Sequence, residues 1–234
     1  MKINIFEAAI NREIFEKIHK KTMKKLCRNN ISYSLVFLPF CIIEYEDNGN
    51  IYKLCIESGP LYKENNRLWL ASLRNNYLKR NIISVDISHI KNSSYSVTVL
   101  RSTVKECKDI IDKLKGFREE ILYELSKQRK MHIRLSRKQG IRNVLFGILP
   151  SNVIPFSSEE EIQKYSDSLL IYIILRNMHL SDNIKIIKCY NPIYQPIILV
   201  RCNEKLKTYA IISDKLVEDS FYDKLFSEIS LIDT

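Results

Sequence analysis

Residues 35–57 read LVFLPFCIIEYEDNGNIYKLCIE, two runs rich in β-branched and aromatic side chains on either side of a polar segment. The runs Leu35–Tyr45 and Ile51–Glu57 have the composition of β-strands. Between them lies the pair Asn48-Gly49, which favours the positive backbone φ angles of a tight hairpin turn. The stretch therefore predicts a β-hairpin.

Further strand-like runs follow the hairpin. Arg67–Leu73 is rich in large apolar residues, and Ile83–Ile87 and Tyr95–Val99 alternate apolar with polar side chains. Alternation of this kind places one face of a strand on a core and leaves the other face partly hydrated. We therefore expect residues 34–101 to form an antiparallel meander of about five strands.

Helical periodicity flanks the meander on both sides. Residues 5–28 have apolar side chains at helical spacing and predict a basic N-terminal helix. Thr103 and Glu106 have the spacing of a capping box, in which a hydroxyl and a carboxylate satisfy two backbone N–H groups at a helix start. An apolar stripe follows to about Gln128, so we expect a long helix that packs over the meander.

The remaining residues predict a second, smaller group of elements in the order α-β-β-β-α. A helix is expected to end at about Met178, and three short strands are expected over residues 184–190, 196–202 and 208–213. A last amphipathic helix is expected over residues 215–229. The predicted fold class is therefore α+β.

Charge divides the chain into two parts. Residues 1–150 contain 28 basic and 15 acidic side chains, a net charge of +13, whereas residues 151–234 contain 9 and 12, a net charge of −3. We therefore predict a basic α+β domain over residues 1–150. Residues 151–234 are predicted to form a smaller acidic domain or subdomain, which leaves a surface for a protein partner or for self-association.

The most basic segment is residues 127–142, which contains seven basic and no acidic side chains. Solvated helices usually carry both signs of charge, because neighbouring opposite charges support the helix. A continuous cationic stripe instead attracts the phosphate backbone of DNA or RNA. The predicted nucleic-acid contacts in this segment are Lys127, Arg129, Lys130, Arg134, Arg137, Lys138 and Arg142.

A second basic cluster lies at the end of the predicted N-terminal helix, and its predicted contacts are Lys20, Lys21, Lys24, Lys25 and Arg28. Contacts of both clusters to phosphates would position a nucleic acid without reading its sequence. We therefore predict a non-enzymatic protein that binds DNA or RNA. The alternative is an interaction or assembly component whose basic surface docks on an acidic partner protein.

Enzymatic function is the less favoured prediction, and no catalytic residue is assigned. A metal-dependent nuclease needs converging carboxylates and a lysine, for which Glu57, Asp86 and Lys53 are the nearest candidates. No two of the five glycines are closer than seven residues, which excludes a glycine-rich phosphate loop. Metal ligands at Cys-x-x-Cys or His-x₃-His spacing are also missing, so no metal or cofactor is predicted.

Six cysteines are scattered along the chain: Cys27, Cys41, Cys55, Cys107, Cys189 and Cys202. The N-terminus lacks the apolar core of a secretory signal, and no apolar stretch reaches the length of about 20 residues that a transmembrane helix needs. We therefore expect reduced, buried thiols and a cytoplasmic location.

Tyr77 lies among basic residues and is compatible with stacking on an unpaired base or, more simply, with packing in the fold.

Overall fold

The protein is described here from a computed structural model over residues 1–25, 31–63, 66–90, 95–145, 159–203 and 205–228. Within these ranges the fold is α+β and contains a mixed eight-stranded sheet. The helices are α1 (Arg12–Lys25), α2 (Pro60–Lys63), α3 (Asn66–Leu70), α4 (Cys107–Leu145), α5 (Glu159–Arg176) and α6 (Ser220–Glu228). The strands are β1 (Lys2–Phe6), β2 (Ile31–Asp47), β3 (Asn50–Glu57), β4 (Ile82–Asp86), β5 (Ser96–Val99), β6 (Lys185–Cys202), β7 (Lys205–Ile212) and β8 (Lys215–Glu218).

The sheet has the strand order β3-β2-β6-β1-β4. In addition, β5 pairs with β2, and β7 lies between β6 and β8. The predicted hairpin is confirmed, because β2 and β3 are neighbours and Asn48 and Gly49 have φ angles of 50° and 80°. Positive φ at both residues is what a tight hairpin turn requires, and glycine adopts it without a Cβ clash.

The antiparallel meander, in contrast, is wrong. β5 pairs with β2 in parallel, with Leu35 opposite Val97, and β4 pairs with β1. Residues 2–6 thus form a strand and not the start of a helix, because Ile3 and Ile5 alternate with polar residues and are both buried. The third predicted strand is also wrong, since residues 66–70 are the short helix α3, with Trp69 fully buried.

The long helix α4 begins later and ends later than predicted. Thr103 does not cap it, because the Thr103 hydroxyl donates to the carbonyl oxygen of Gly59 at 2.9 Å. The helix starts at Cys107 and continues through the basic segment to Leu145. The first two residues of the apolar run 144–149 end α4, and residues 146–158 lie outside the described part.

The C-terminal elements differ from the predicted α-β-β-β-α unit in two ways. The helix α5 is confirmed, but two of the predicted strands are one continuous strand, β6. Residues 215–218 form β8, paired antiparallel with β7, and only then does the last helix, α6, begin. Since β6 pairs with β1, these strands belong to the same sheet as the N-terminal strands.

The described chain divides into two compact units. The first comprises residues 1–45, 53–107 and 186–234, and the second comprises residues 46–52 and 108–185. In the first unit α1 packs through Ile14 and Ile18 against a core formed with the sheet residues Leu35, Ile198 and Ile211. This core fixes the position of α1 and the cationic residues on it.

The second unit contains most of α4 and the whole of α5. Five apolar residues of α4 are buried: Ile110, Ile111, Leu114, Phe117 and Ile121. Arg118 donates to the carbonyl oxygen of Leu180 at 2.6 Å, and the ring of Tyr52 stacks on that of His179 with centroids 4.6 Å apart. The N-terminal third of α4 is therefore anchored by packing.

None of the described helices is long and apolar enough to cross a membrane.

The prediction of reduced cysteines is wrong for part of the set. Cys107 and Cys189 are joined by a disulfide, and Cys202 is also disulfide-bonded. Cys41 and Cys55 are free and buried, as expected. Cys27 lies outside the described residues. The distance of 82 positions between Cys107 and Cys189 gives no sequence signal of pairing, because folding alone brings them together.

Candidate functional site

The basic segment 127–142 lies entirely within the helix α4. A helix turns about 100° per residue, so positions 127, 130, 134, 137 and 138 fall within an arc of about 100°. Position 142 lies about 40° beyond this arc, whereas position 129 lies about 130° from its centre. The helix thus gathers six of the seven predicted contacts on one face, which we call the basic face of α4: Lys127, Lys130, Arg134, Arg137, Lys138 and Arg142.

Lys127 is the one member whose side chain the structure describes, and it is exposed. Two turns before it lies Glu120, and Glu124 lies one turn before, so the acidic residues of α4 stop where the basic segment starts. Charge along this helix therefore changes from mixed to purely positive. Within a purely positive stretch, no pair of oppositely charged side chains can stabilise the helix. This favours an anion from outside the helix as the partner of these cations.

The second predicted cluster lies on and after α1, in the other compact unit. Lys20 is exposed, whereas Lys21 places its Nζ atom 3.6 Å from Glu218 Oε2 and 5.1 Å from the centre of the Tyr209 ring. Lys21 therefore already has an acidic and an aromatic partner within the protein. Lys24 and Lys25 belong to the last turn of α1, and Arg28 lies outside the described residues.

A cleft of about 720 Å³ opens beside the first turns of α1, and sequence reasoning did not find it. Aromatic and cationic side chains from α1, from the start of β2 and from His89, Ile90 and Tyr95 line it. Arg12 is paired with Glu16 at 2.8 Å, which leaves Lys20 to give the cleft its positive charge. The lining includes Phe15, His19, Lys20, Tyr33, His89 and Tyr95.

The aromatic groups of the cleft are held in place by one another. The rings of Phe15 and Tyr95 stack with centroids 4.1 Å apart, and the Tyr33 hydroxyl lies 2.7 Å from His19 Nδ1. Partial burial raises the pKa of both tyrosines, so their hydroxyls remain protonated at neutral pH. Rigid aromatic walls beside a lysine suit a flat, anionic ligand such as a nucleotide.

Sequence reasoning missed this cleft because its residues come from three separate segments. The one sequence signal is that Lys20, a predicted contact, lies next to His19 on the face of α1 that also presents Phe15. Tyr77, the aromatic residue singled out from the sequence, is instead buried and packs against Phe6 and Phe40. The simpler interpretation of Tyr77 as a packing residue is confirmed.

The nuclease candidates are not brought together. Glu57 ends β3 and Asp86 ends β4, and these strands lie at opposite edges of the five-strand path. Four strand spacings of about 4.8 Å separate them by about 19 Å. Glu57 is fully buried and accepts from the backbone N–H of Gly59 at 2.8 Å, while Lys53 pairs with Glu44 at 2.9 Å. These residues therefore do not form a shared metal site.

Asp86 has a local role instead. Its carboxylate accepts hydrogen bonds from the hydroxyl and the backbone N–H of Ser88, at 2.8 and 3.1 Å, and lies 3.1 Å from the N-terminal amine of Met1. These hydrogen bonds lower the pKa of Asp86 to about 2. Asp86 thus organises the turn after β4.

Comparisons with protein-family models, with curated proteins and with solved structures found no significant match to this chain. The function must therefore be argued from the basic face of α4 and the cleft beside α1.

Proposed function

We propose that this protein binds nucleic acid without acting on it chemically, and that the basic face of α4 contacts backbone phosphates. The observation that carries the proposal is the continuity of α4 through residue 145. A loop would scatter these cations, whereas a helix repeats them on one face. Clustered positive charge of this kind raises the local concentration of a polyanion and speeds its association.

The dimensions of the segment support this proposal. Residues 127–142 of an α-helix span about 22 Å at a rise of about 1.5 Å per residue. One strand of B-DNA carries a phosphate every 3.4 Å of its axis, so this length matches about seven phosphates. Six cations over that length suit a ligand with many regularly spaced charges better than a small anion.

The cleft beside α1 supports a second contact region in the other compact unit. Lys20 would contact a phosphate there, and the aromatic walls would contact a base, since stacking on aromatic rings is common to proteins that bind single strands. We therefore propose that single-stranded ligands are preferred over duplexes. The preference would be weakened by Lys20→Glu but not by changes on β6.

Fluorescent single- and double-stranded DNA and RNA, titrated with protein at several salt concentrations, test the proposal. The variant Lys130→Glu/Arg134→Glu/Arg137→Glu reverses three charges on the basic face. The matched control Lys185→Glu/Lys188→Glu/Lys205→Glu makes the same change in net charge at three exposed residues of β6 and β7. Because both variants lose the same total charge, only a difference between them reports a localised interface.

The expected result is binding by the wild type that weakens steeply with salt. Six phosphate contacts to duplex DNA correspond to a slope of about −5.4 in a plot of log K against log salt, at about −0.9 per contact. The variant on α4 should reduce this slope by about 2.7 on the same scale. The control should keep the wild-type slope.

Two results would overturn the proposal. Absence of binding at low salt would exclude nucleic acid as the ligand, and equal weakening by both triple variants would show that net charge alone attracts it. Specific capture of one acidic protein, with no affinity for DNA or RNA, would favour the alternative of an assembly component that docks through its basic face.

A further inference from the structure

Three cysteine sulfurs meet at one point of the first compact unit. Cys41, Cys107 and Cys189 have sulfur atoms that all lie within 4.8 Å of one another. Cys107 and Cys189 form the disulfide already described, and Cys41 is a free thiol whose sulfur lies 3.0 Å from that of Cys107. A disulfide needs only two sulfurs, so the third sulfur, that of Cys41, has no part in it.

Regular elements hold the three cysteines in place. Cys41 lies in β2 and Cys189 in β6, which are neighbouring strands, and Cys107 is the first residue of α4. Asn191 also links the segments on either side, because its amide oxygen accepts from Ser102 at 2.9 Å and its amide nitrogen donates to the carbonyl of Val104 at 3.0 Å. The three sulfurs therefore converge because of the fold, and not only because a disulfide draws two of them together.

The surroundings of the cluster favour a cation as its partner in the reduced state. Cys41 is fully buried, so a thiolate there needs a positive charge beside it to offset the cost of burying its own charge. Cys107 is at a helix N-terminus, where the helix dipole stabilises a thiolate. Cys189 is exposed, which gives an ion a route from solvent.

We propose that reduction of the Cys107–Cys189 disulfide converts this cluster into a three-thiolate site for Zn²⁺. A dithiol or phosphine supplies the two electrons, the S–S bond breaks, and each sulfur takes up a proton. Binding of Zn²⁺ then forms three Zn–S bonds and releases three protons. Zn²⁺ is four-coordinate in most protein sites, so solvent occupies the fourth position on the exposed side of Cys189.

The disulfide and the metal site exclude each other, because a sulfur that is bonded to another sulfur is not a thiolate and does not bind the metal. The metal form therefore belongs to a reducing compartment, such as a cytoplasm. The disulfide form belongs to oxidising conditions. The three cysteines share no residue with the basic face of α4 or with the cleft, so the proposal does not depend on the proposed binding of nucleic acid.

The experiment uses the full chain, reduced with a phosphine that is then removed without oxygen. Zn²⁺ is added and the bound metal is measured after gel filtration, and Cd²⁺ replaces Zn²⁺ to reveal the thiolate-to-metal charge-transfer absorption. We expect one Zn²⁺ per chain, release of about three protons per metal bound, and protection of three thiols from a thiol reagent. Oxidation to the disulfide should abolish binding.

Variants separate this site from other cysteines. Cys189→Ser, at an exposed position, should weaken Zn²⁺ binding at least tenfold, and Cys41→Ser should do the same. Cys55→Ser and Cys202→Ser should keep wild-type binding, because neither residue belongs to the cluster. Circular dichroism before metal addition checks that each variant is folded.

Failure of the reduced, folded wild type to bind Zn²⁺ would overturn the proposal. So would undiminished binding and charge-transfer absorption in Cys189→Ser, since the metal would then have other ligands.

Discussion

Asp223 Oδ2 accepts a hydrogen bond from Lys207 Nζ at 2.9 Å, and this pair ties the last helix, α6, to strand β7. The other carboxylate oxygen of Asp223 accepts from the backbone N–H of Thr208 at 2.5 Å and from the Thr208 hydroxyl. Thr208 is fully buried. One carboxylate thus satisfies polar groups on two adjacent residues of a strand.

Asp223→Ala should lower the free energy of unfolding by about 2 kcal/mol, because the buried N–H of Thr208 loses its acceptor. Lys207→Ala removes only the partly exposed ion pair and should cost less than about 1 kcal/mol. Denaturant unfolding of both variants measures the difference. Equal losses would show that the ion pair, and not the Thr208 contacts, is the stabilising part.

Arg80→Lys should destabilise the first unit although it keeps the charge. The Arg80 guanidinium lies 4.9 Å from the centre of the Tyr77 ring and 5.1 Å from that of Phe6, and it donates to the carbonyl oxygen of Glu7 at 2.9 Å. An ammonium group cannot stack and donate to several acceptors in this way. We expect a loss of about 2 kcal/mol in thermal or denaturant unfolding. The exposed neighbour Lys79, changed to Ala, should shift stability by less than about 0.5 kcal/mol.

Two glycine substitutions should change the free energy of unfolding in opposite directions. A Cβ at Gly59 would lie 2.6 Å from Cγ of Pro39 and 2.8 Å from Glu57 Oε1, so Gly59→Ala should cost about 1–3 kcal/mol. A Cβ at Gly116, within α4, meets nothing within 4 Å, so Gly116→Ala should stabilise by up to about 1 kcal/mol. A stabilising Gly59→Ala would show that the Pro39 contact relaxes at no cost.

Alkaline pH should destabilise the protein through its buried tyrosines. Burial raises the pKa of Tyr209 to about 12, above the value of about 10 for an unfolded tyrosine. A raised pKa gives stability that is complete below about pH 10 and is lost as pH rises to about 12. Tyr209→Phe should flatten this loss in unfolding experiments at increasing pH. Ionisation of Tyr209 near pH 10 in the folded protein would contradict the expectation.

Local sequence was enough to predict some elements and failed at others. The β2–β3 hairpin was predicted correctly because Asn48-Gly49 specifies a turn by backbone chemistry alone. The helix α5 was recognised from its periodicity. The predicted helix over residues 5–28 began too early, because residues 5 and 6 also fit the alternation of the short strand β1. Only the pairing of β1 with β6 and β4 decides between the two periods.

The candidate sites were likewise predicted from the sequence only in part. The cations of residues 127–142 are visible in the sequence, and their placement on one face follows once α4 is known to continue. The cleft beside α1 and the cysteine cluster could not be predicted, because their residues are far apart in the chain. No local pattern marks residues that meet only when strands and helices pack.

The sequence by itself determined the α+β class, the hairpin turn and the uneven charge, because composition, turn chemistry and short-range periodicity are local properties. Only the tertiary structure decided the order and direction of the strands. Parallel pairing of β2 with β5 and the place of β1 beside β6 depend on contacts between distant segments. The free energy of those contacts comes from burial in a shared core, which no single segment encodes.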